Sequence, residues 1–242
     1  MRLLRFFLIL CAVCLAASAN GRDLLVHVST LPPYVLNGAR QGIACDIITR
    51  ALASQNVGVR FVASNNKRME IEVKNGSADA GFAGIPDDSS QVFFSDPVIE
   101  FENVAVTLRS RNLHIDGMTD FYGKRVIAFR NAARVLGPAF AQMARKNPDY
   151  SEVGDQHSQL PMLDADRGDV IILERRVFLY YSQALHGNQN TQDLYRLHRV
   201  FKPVSRLLGF HSSEQRDIFN KGLQTIRQNG EYTAILRSYM SE

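Results

Sequence analysis

The chain has 242 residues, of which 45% are hydrophobic and 21% are charged, and its formal net charge is +4. A chain of this length buries enough apolar surface to fold on its core alone, and no internal repeat or low-complexity segment appears. Its 28 basic and 24 acidic residues are nearly balanced and scattered, so the charge does not indicate a nucleic-acid-binding protein.

The first segment, residues 1–19, has the pattern of a cleavable signal peptide. Arg2 and Arg5 precede the apolar run Phe6–Ala16, and the small residues Ala17–Ala19 follow it as a cleavage site. We therefore predict a secreted, periplasmic protein. Cleavage would remove two arginines and no acidic residue, which brings the mature chain still closer to charge balance.

The first half of the mature chain alternates strands with helices. Leu24–Ser29 shows the alternation of a half-buried strand, and Asn75-Gly76 is a typical helix end. In chain order the predicted elements are strand Leu24–Ser29, helix Ile43–Gln55, strand Val59–Ala63, helix Lys67–Lys74, strand Ala78–Ala83 and strand Asn103–Leu108.

The pattern then starts again after a break at residues 109–117. The predicted elements are strand Arg125–Phe129, helix Ala132–Arg145, helix Leu160–Arg167, strand Val170–Leu173 and helices Arg176–Leu185, Ser213–Gln228 and Tyr232–Tyr239. This alternation predicts an α/β fold of two lobes with parallel sheets, whose ligands bind at the carboxyl ends of the strands. A crossing at Val200–Pro203 would return the last helices to the first lobe.

Residue types that carry catalysis or bind metals show no characteristic spacing. The six histidines are not paired as metal ligands, and neither a nucleophile elbow nor a phosphate-binding loop is present. Cys45 is the one cysteine outside the signal segment, so no intramolecular disulfide is possible, and its apolar neighbours indicate a buried core residue. We predict no metal, no cofactor and no enzymatic activity.

Several short motifs follow one another in a fixed order and spacing. They are Pro32-Pro33-Tyr34, Gly42 to Asp46, Lys67-Arg68 to Asn75-Gly76, Asp79-Ala80-Gly81, Phe94-Ser95-Asp96-Pro97, Tyr122 to Val126, Gly168-Asp169 to Glu174, and Asn229 to Tyr232. With these motifs the mature chain resembles the family 3 extracellular solute-binding proteins, the periplasmic receptors of polar amino-acid importers.

The resemblance implies a periplasmic binding protein-like fold of type II, in which two α/β lobes are joined by a two-strand hinge. Residues 20–108 with 203–242 would form the first lobe and residues 109–202 the second. It further implies a monomer that closes on a small polar ligand, an amino acid or related amine, and then docks with a membrane permease of the ABC type.

The resemblance also implies a grip for the ligand carboxylate, and this chain departs from it. The family pattern Ala-Gly-x-Thr, with Arg five residues later, starts here at Ala80-Gly81 but places Ala83 and Asp88 at the Thr and Arg positions. The second-lobe pattern Gly-Thr-Thr is replaced by Asn131–Ala133. We expect these changes to weaken the binding of a free amino acid by more than tenfold, because a bidentate guanidinium–carboxylate pair is lost.

Other candidate residues keep two interpretations each. Glu174 matches the acid that holds the ligand ammonium, and with Asp88 it would favour a cationic ligand, although Asp88 also has the chemistry of a helix cap. Tyr34 either stacks on the ligand or packs locally. Arg130, or Arg134 beside it, either replaces the missing arginine or is exposed at a helix start.

Three functions follow from these residues. The first is capture of a solute for an importer. The second is a ligand sensor or interaction protein for a membrane signalling partner, which the altered grip would suit. The third is a dehydratase-like enzyme on the same fold with Glu174 as its acid, although a single carboxylate without a placed partner is little support for catalysis.

Overall fold

A computed structural model describes residues 22–83, 90–187 and 189–239. The predicted signal segment, residues 1–19, lies outside the described residues. In chain order the first half contains β1 (Leu24–Val28), α1 (Ile43–Ala53), β2 (Val59–Ala63), α2 (Asn66–Lys74), β3 (Ala80–Phe82), β4 (Phe93–Phe94), β5 (Ile99–Phe101) and β6 (Asn103–Leu108).

The second half continues the alternation of strands and helices. It contains β7 (Val126–Phe129), α3 (Ala132–Val135), α4 (Pro138–Lys146), β8 (Tyr150–Val153), α5 (Gln159–Asp164), β9 (Val170–Glu174), α6 (Arg175–His186), α7 (Thr191–Leu194), β10 (Tyr195–His198), β11 (Val204–Arg206), β12 (Leu208–Phe210), α8 (Ser213–Gln228) and α9 (Glu231–Ser238).

The strands form two five-stranded sheets. The first sheet has the order β2-β1-β3-β12-β4, and the second has the order β10-β6-β9-β7-β8. The prediction of parallel sheets was wrong, because both sheets are mixed. β1 is parallel to β2 and β3, and β7 is parallel to β8 and β9, whereas β12 and β6 run antiparallel to their neighbours. These two strands are the ones that enter a sheet directly from the other half of the molecule.

A two-stranded ribbon joins the two sheets. β5 and β11 pair antiparallel, with Phe101 opposite Val204. After β5 the single residue Glu102 leads into β6 of the second sheet, and after β11 the single residue Leu207 leads into β12 of the first sheet. This is the α/β architecture with two lobes and a two-strand connection that the sequence predicts.

Asp79 and Asp169 fix the central strand of each sheet to its neighbour. Asp79 precedes β3 and accepts the backbone N–H of Leu25 in β1 at 2.7 Å. Asp169 precedes β9 and accepts the backbone N–H of Arg125, next to β7, at 2.8 Å. Each carboxylate also receives two bonds from a guanidinium, Arg22 for Asp79 and Arg125 for Asp169. In both sheets an aspartate therefore holds the beginning of the central strand in the same way, although the sequence has no detectable repeat.

The predicted helix Ala132–Arg145 is two helices, α3 and α4. Gly137 lies between them with φ 92°, a conformation that favours glycine, and Pro138 is the first residue of α4. Proline has no N–H to continue the hydrogen bonds of a preceding helix, so the chain breaks here.

Cys45 lies in α1 and is 1% exposed. Burial raises the pKa of its thiol to about 12, which keeps the thiol protonated, and the prediction of a core residue is confirmed. In the part of the chain that the structure describes, no helix is both long and apolar enough to cross a membrane.

Replacing Asp79 or Asp169 by alanine is expected to lower the free energy of unfolding by about 1–3 kcal/mol, because each change leaves a backbone N–H at a strand start without its acceptor. Urea denaturation measures this loss. Asp217→Ala is the matched control, since the Asp217 side chain is 68% exposed in its pair with Arg216, and it should cost less than about 0.5 kcal/mol. Equal losses in all three variants would contradict this role.

Candidate functional site

Glu174 ends β9 and is 3% exposed, yet its carboxylate has a full set of hydrogen-bond donors. Oε2 accepts the backbone N–H groups of Arg176 at 2.6 Å and Val177 at 3.1 Å, which caps α6. Oε1 accepts the backbone N–H of Glu102 at 3.2 Å, and the Tyr34 hydroxyl also hydrogen-bonds this carboxylate. These donors come from the second lobe, from the connection between the lobes and from the first lobe.

Burial raises the pKa of Glu174, while the bonds from Val177, Tyr34 and Arg176 act in the opposite direction. A carboxylate offers about four acceptor positions. Four donors already use them, so Glu174 would bind a ligand ammonium only by giving up one of its internal partners. The role of Glu174 as a ligand contact stays a prediction, and the geometry supports a capping role beside it.

Tyr34 is fully buried and does not present its ring to solvent. The ring packs against Phe101 of β5 with 4.4 Å between centroids, and the hydroxyl accepts a bond from Arg176 Nη1 at 3.3 Å. Burial and the neighbouring Glu174 charge raise the pKa of Tyr34. Stacking on a ligand, the first of the two interpretations of Tyr34, would require its ring to move away from Phe101 of the connecting ribbon.

Arg176 joins the two lobes and was missed by the sequence analysis. Nη1 donates to Tyr34 and lies 3.8 Å from Glu174 Oε1. The same side chain lines a cavity of about 330 Å³ with Glu100 of β5 and Arg227 and Tyr232 of the last two helices. Arg176 lies two residues after Glu174 and is the first residue of the predicted helix that follows this strand. That position is the signal that would have identified it.

Glu152 in β8 occupies the backbone donors that follow β7. Oε2 accepts the N–H of Asn131 at 2.6 Å, and Oε1 accepts the N–H of Ala133 at 3.0 Å and the Tyr150 hydroxyl at 2.7 Å. Partial burial acts to raise the pKa of Glu152, but these donors hold it below its usual value. Asn131 itself has φ 66°, a left-handed conformation that asparagine tolerates better than most residues.

This Glu152 contact was also missed. No element was predicted at residues 150–153, because the strand is short and only two of its residues are apolar. The contact matters for the site because the backbone N–H groups of Asn131 and Ala133, at the position of the family's second-lobe grip, already hold a carboxylate of the chain itself.

Arg130 directly follows β7, and its guanidinium lies over Gly154, which directly follows β8. A Cβ at Gly154 would overlap Arg130 Nη2, so glycine leaves the space that the guanidinium fills. Arg130 is exposed.

The candidate residues of the first sheet lie at β3. Gly81 is buried between His27 of β1 and Gly209 of β12. Ala83 follows β3 with φ 57°, an uncommon conformation for a residue with a side chain, and its N–H bonds to Leu207 O at 3.2 Å. Asp88 falls in residues 84–89, which lie outside the described residues.

The candidates thus form three groups. Tyr34 and Glu174 meet through Arg176 at the connection between the lobes, Arg130 and Asn131 lie with Glu152 at the ends of β7 and β8, and Gly81 and Ala83 lie at β3. In residues 22–83, 90–187 and 189–239, no group of three histidine, cysteine, aspartate or glutamate side chains is arranged to hold a metal ion.

Glu174→Ala is expected to lower the free energy of unfolding by about 1–3 kcal/mol, since it leaves the N–H donors of Arg176, Val177 and Glu102 without their acceptor. Glu100→Ala is the matched control, because Glu100 is an exposed glutamate on β5 near the same connection. Thermal or urea unfolding compares the two variants. A loss for Glu174→Ala no larger than for the control would contradict the capping role.

Comparisons with known structures agree with this architecture. The GluR0 ligand-binding core in complex with L-glutamate aligns with a TM-score of 0.73 at 16% identity, over 91% of this chain and 99% of that chain. The arginine-, lysine-, histidine-binding protein ArtJ from Geobacillus stearothermophilus aligns with a TM-score of 0.70 at 15% identity, over 91% and 96%. The amino acid ABC transporter substrate-binding protein AbpA from Streptococcus pneumoniae, bound to L-arginine, gives 0.67 at 17%, over 90% and 94%.

At these identities the likeness concerns the fold alone. No curated protein sequence matches the chain significantly. The family model of the bacterial extracellular solute-binding proteins, family 3, matches residues 25–242, which is nearly the whole chain. The chain therefore belongs to the bacterial extracellular solute-binding proteins of family 3.

Proposed function

We propose that this protein is a periplasmic solute-binding protein that captures a small polar solute, an amino acid or a related amine, between two lobes for an ABC-type importer. The observation that carries the proposal is the connection between the sheets. The β5–β11 ribbon joins them, and the Arg176–Tyr34 contact links α6, which follows the second sheet, to Tyr34, which packs on Phe101 of the ribbon. Membership of the family supports it.

The lobes would comprise residues 20–108 with 203–242, and residues 109–202. The strands agree with this division except at β6: β1–β4 and β12 lie in one sheet and β6–β10 in the other, so β6 (Asn103–Leu108) groups with the strands of the second lobe. The predicted signal segment 1–19 supports periplasmic localisation, and the family description is extracellular. Binding without catalysis is supported by Glu174, the one acid considered for catalysis, whose acceptor positions are already used.

The mechanism follows from two lobes on a short ribbon. A solute that contacts both lobes binds the closed form more tightly than the open form, and so shifts the balance towards closure by its difference in affinity. The closed form would then dock with the membrane permease. A movement of one lobe relative to the other would change the Arg176–Tyr34 distance directly, because the two side chains come from different lobes.

The proposal predicts that a solute stabilises the protein against heat. Protein isolated from the periplasm is unfolded, freed of carried-over ligand and refolded, and its thermal unfolding is then followed with amino acids, amines and small carboxylates. A solute at a hundred times its dissociation constant adds about 2.7 kcal/mol to the free energy of unfolding. Absence of a shift with every solute class would contradict solute capture and favour a protein that acts through its surface.

A further inference from the structure

The charged side chains at the carboxyl ends of the strands in the second sheet differ in the number of hydrogen bonds that they form within the protein. Glu174 and Glu152 each hold backbone N–H groups and a tyrosine hydroxyl. Arg176 donates to Tyr34. Arg130 is exposed and, among the described residues, takes part in neither a hydrogen bond nor an ion pair. Arg134 in α3 is likewise exposed without a side-chain partner among the described residues, but Arg130 is the one of the two that directly follows a strand of the sheet.

The register of the sheet places Arg130 at the level where ligands bind. β7 and β9 are parallel, with Ala128 opposite Ile172, so two residues later Arg130 stands opposite Glu174. The guanidinium reaches sideways to Gly154 after β8, and it therefore lies across the carboxyl ends of two parallel strands. Ligands of α/β sheets bind at this edge.

The alternatives for an anionic ligand group are less favourable. The N–H groups of Asn131 and Ala133 already carry the Glu152 carboxylate, and a second anion beside it would be repelled. Arg134 lies within α3, further along the chain from the strand end. A guanidinium presents a planar set of donors that matches a carboxylate in a bidentate pair.

We propose that Arg130 binds the carboxylate of the solute and that Gly154 is a positioning residue, which leaves the space in which the guanidinium lies. This inference rests on the proposed function and narrows its substrate class to small molecules that carry a carboxylate. It also assigns no part in carboxylate binding to the backbone of Asn131–Ala133, since Glu152 fills those donors.

The test compares solutes that differ only in the carboxylate. L-Arginine is paired with agmatine, L-lysine with cadaverine, and L-ornithine with putrescine, and binding is measured by calorimetry with the refolded full-length secreted protein. The wild type is expected to bind the amino acid of a pair at least about tenfold more tightly than its amine, the size expected of a charge-assisted pair. Arg130→Gln should abolish this preference, and the matched control Arg134→Gln should keep it.

Gly154→Ala supplies a second variant that leaves the charge in place. It should reduce the preference for the amino acid while the melting temperature of the unliganded protein stays that of the wild type, because only the guanidinium is displaced. A merely structural role for Gly154 would lower the melting temperature instead.

The outcomes separate this inference from the proposed function. Unchanged amino-acid binding in Arg130→Gln, loss of binding in Arg134→Gln alone, or tighter binding of the amines than of the amino acids by the wild type would overturn the assignment of Arg130 while solute capture stands. Failure of all these solutes, and of the wider panel in thermal unfolding, would overturn the proposed function together with it.

Discussion

The carboxylate of Glu174 connects three parts of the molecule that must be placed relative to one another. It caps α6 in the second lobe, accepts the N–H of Glu102 in the connection, and hydrogen-bonds Tyr34 of the first lobe. A buried ionised carboxylate is costly unless its acceptor positions are used, and here the backbone supplies most of the donors. The carboxylate that the resemblance assigns to a ligand ammonium therefore also holds parts of the protein together.

Glu152 repeats this arrangement at the next strand ends. Its carboxylate takes the donors after β7 that would otherwise face an anion. The Glu174 carboxylate and the N–H groups after β7 are two sets of polar atoms that a site at this sheet edge could offer to a ligand. Both are hydrogen-bonded within the chain instead. Specific recognition would then depend on the groups left over, and the guanidinium of Arg130, which Gly154 accommodates, is the one that we propose for this part.

The sequence predicted the elements with strong periodicity well. Val59–Ala63, Asn103–Leu108 and Ser213–Gln228 begin and end at the predicted residues. Alternation of strands and helices did not reveal that β6 and β12 run antiparallel, because strand direction depends on which lobe the chain arrives from. Strands of two to four residues, such as β4, β8 and β11, carry too few residues for a pattern.

The site was predicted less completely than the fold, for a physical reason. Spacing placed Glu174 at a strand end, but whether a carboxylate faces a ligand or its own helix depends on the side-chain length and on donors such as Glu102 that come from elsewhere in the chain. Tyr34 was predicted to follow β1, yet its burial against Phe101 depends on the β5–β11 ribbon, whose position in space no sequence pattern indicates.

The central claim is that the β5–β11 ribbon lets two lobes close on a solute. Small-angle X-ray scattering of the refolded protein, with and without the solute that stabilises it most against heat, tests this claim most directly. The account predicts a smaller radius of gyration with the solute bound. Identical scattering curves at saturation would contradict closure and leave the ribbon as a fixed connection.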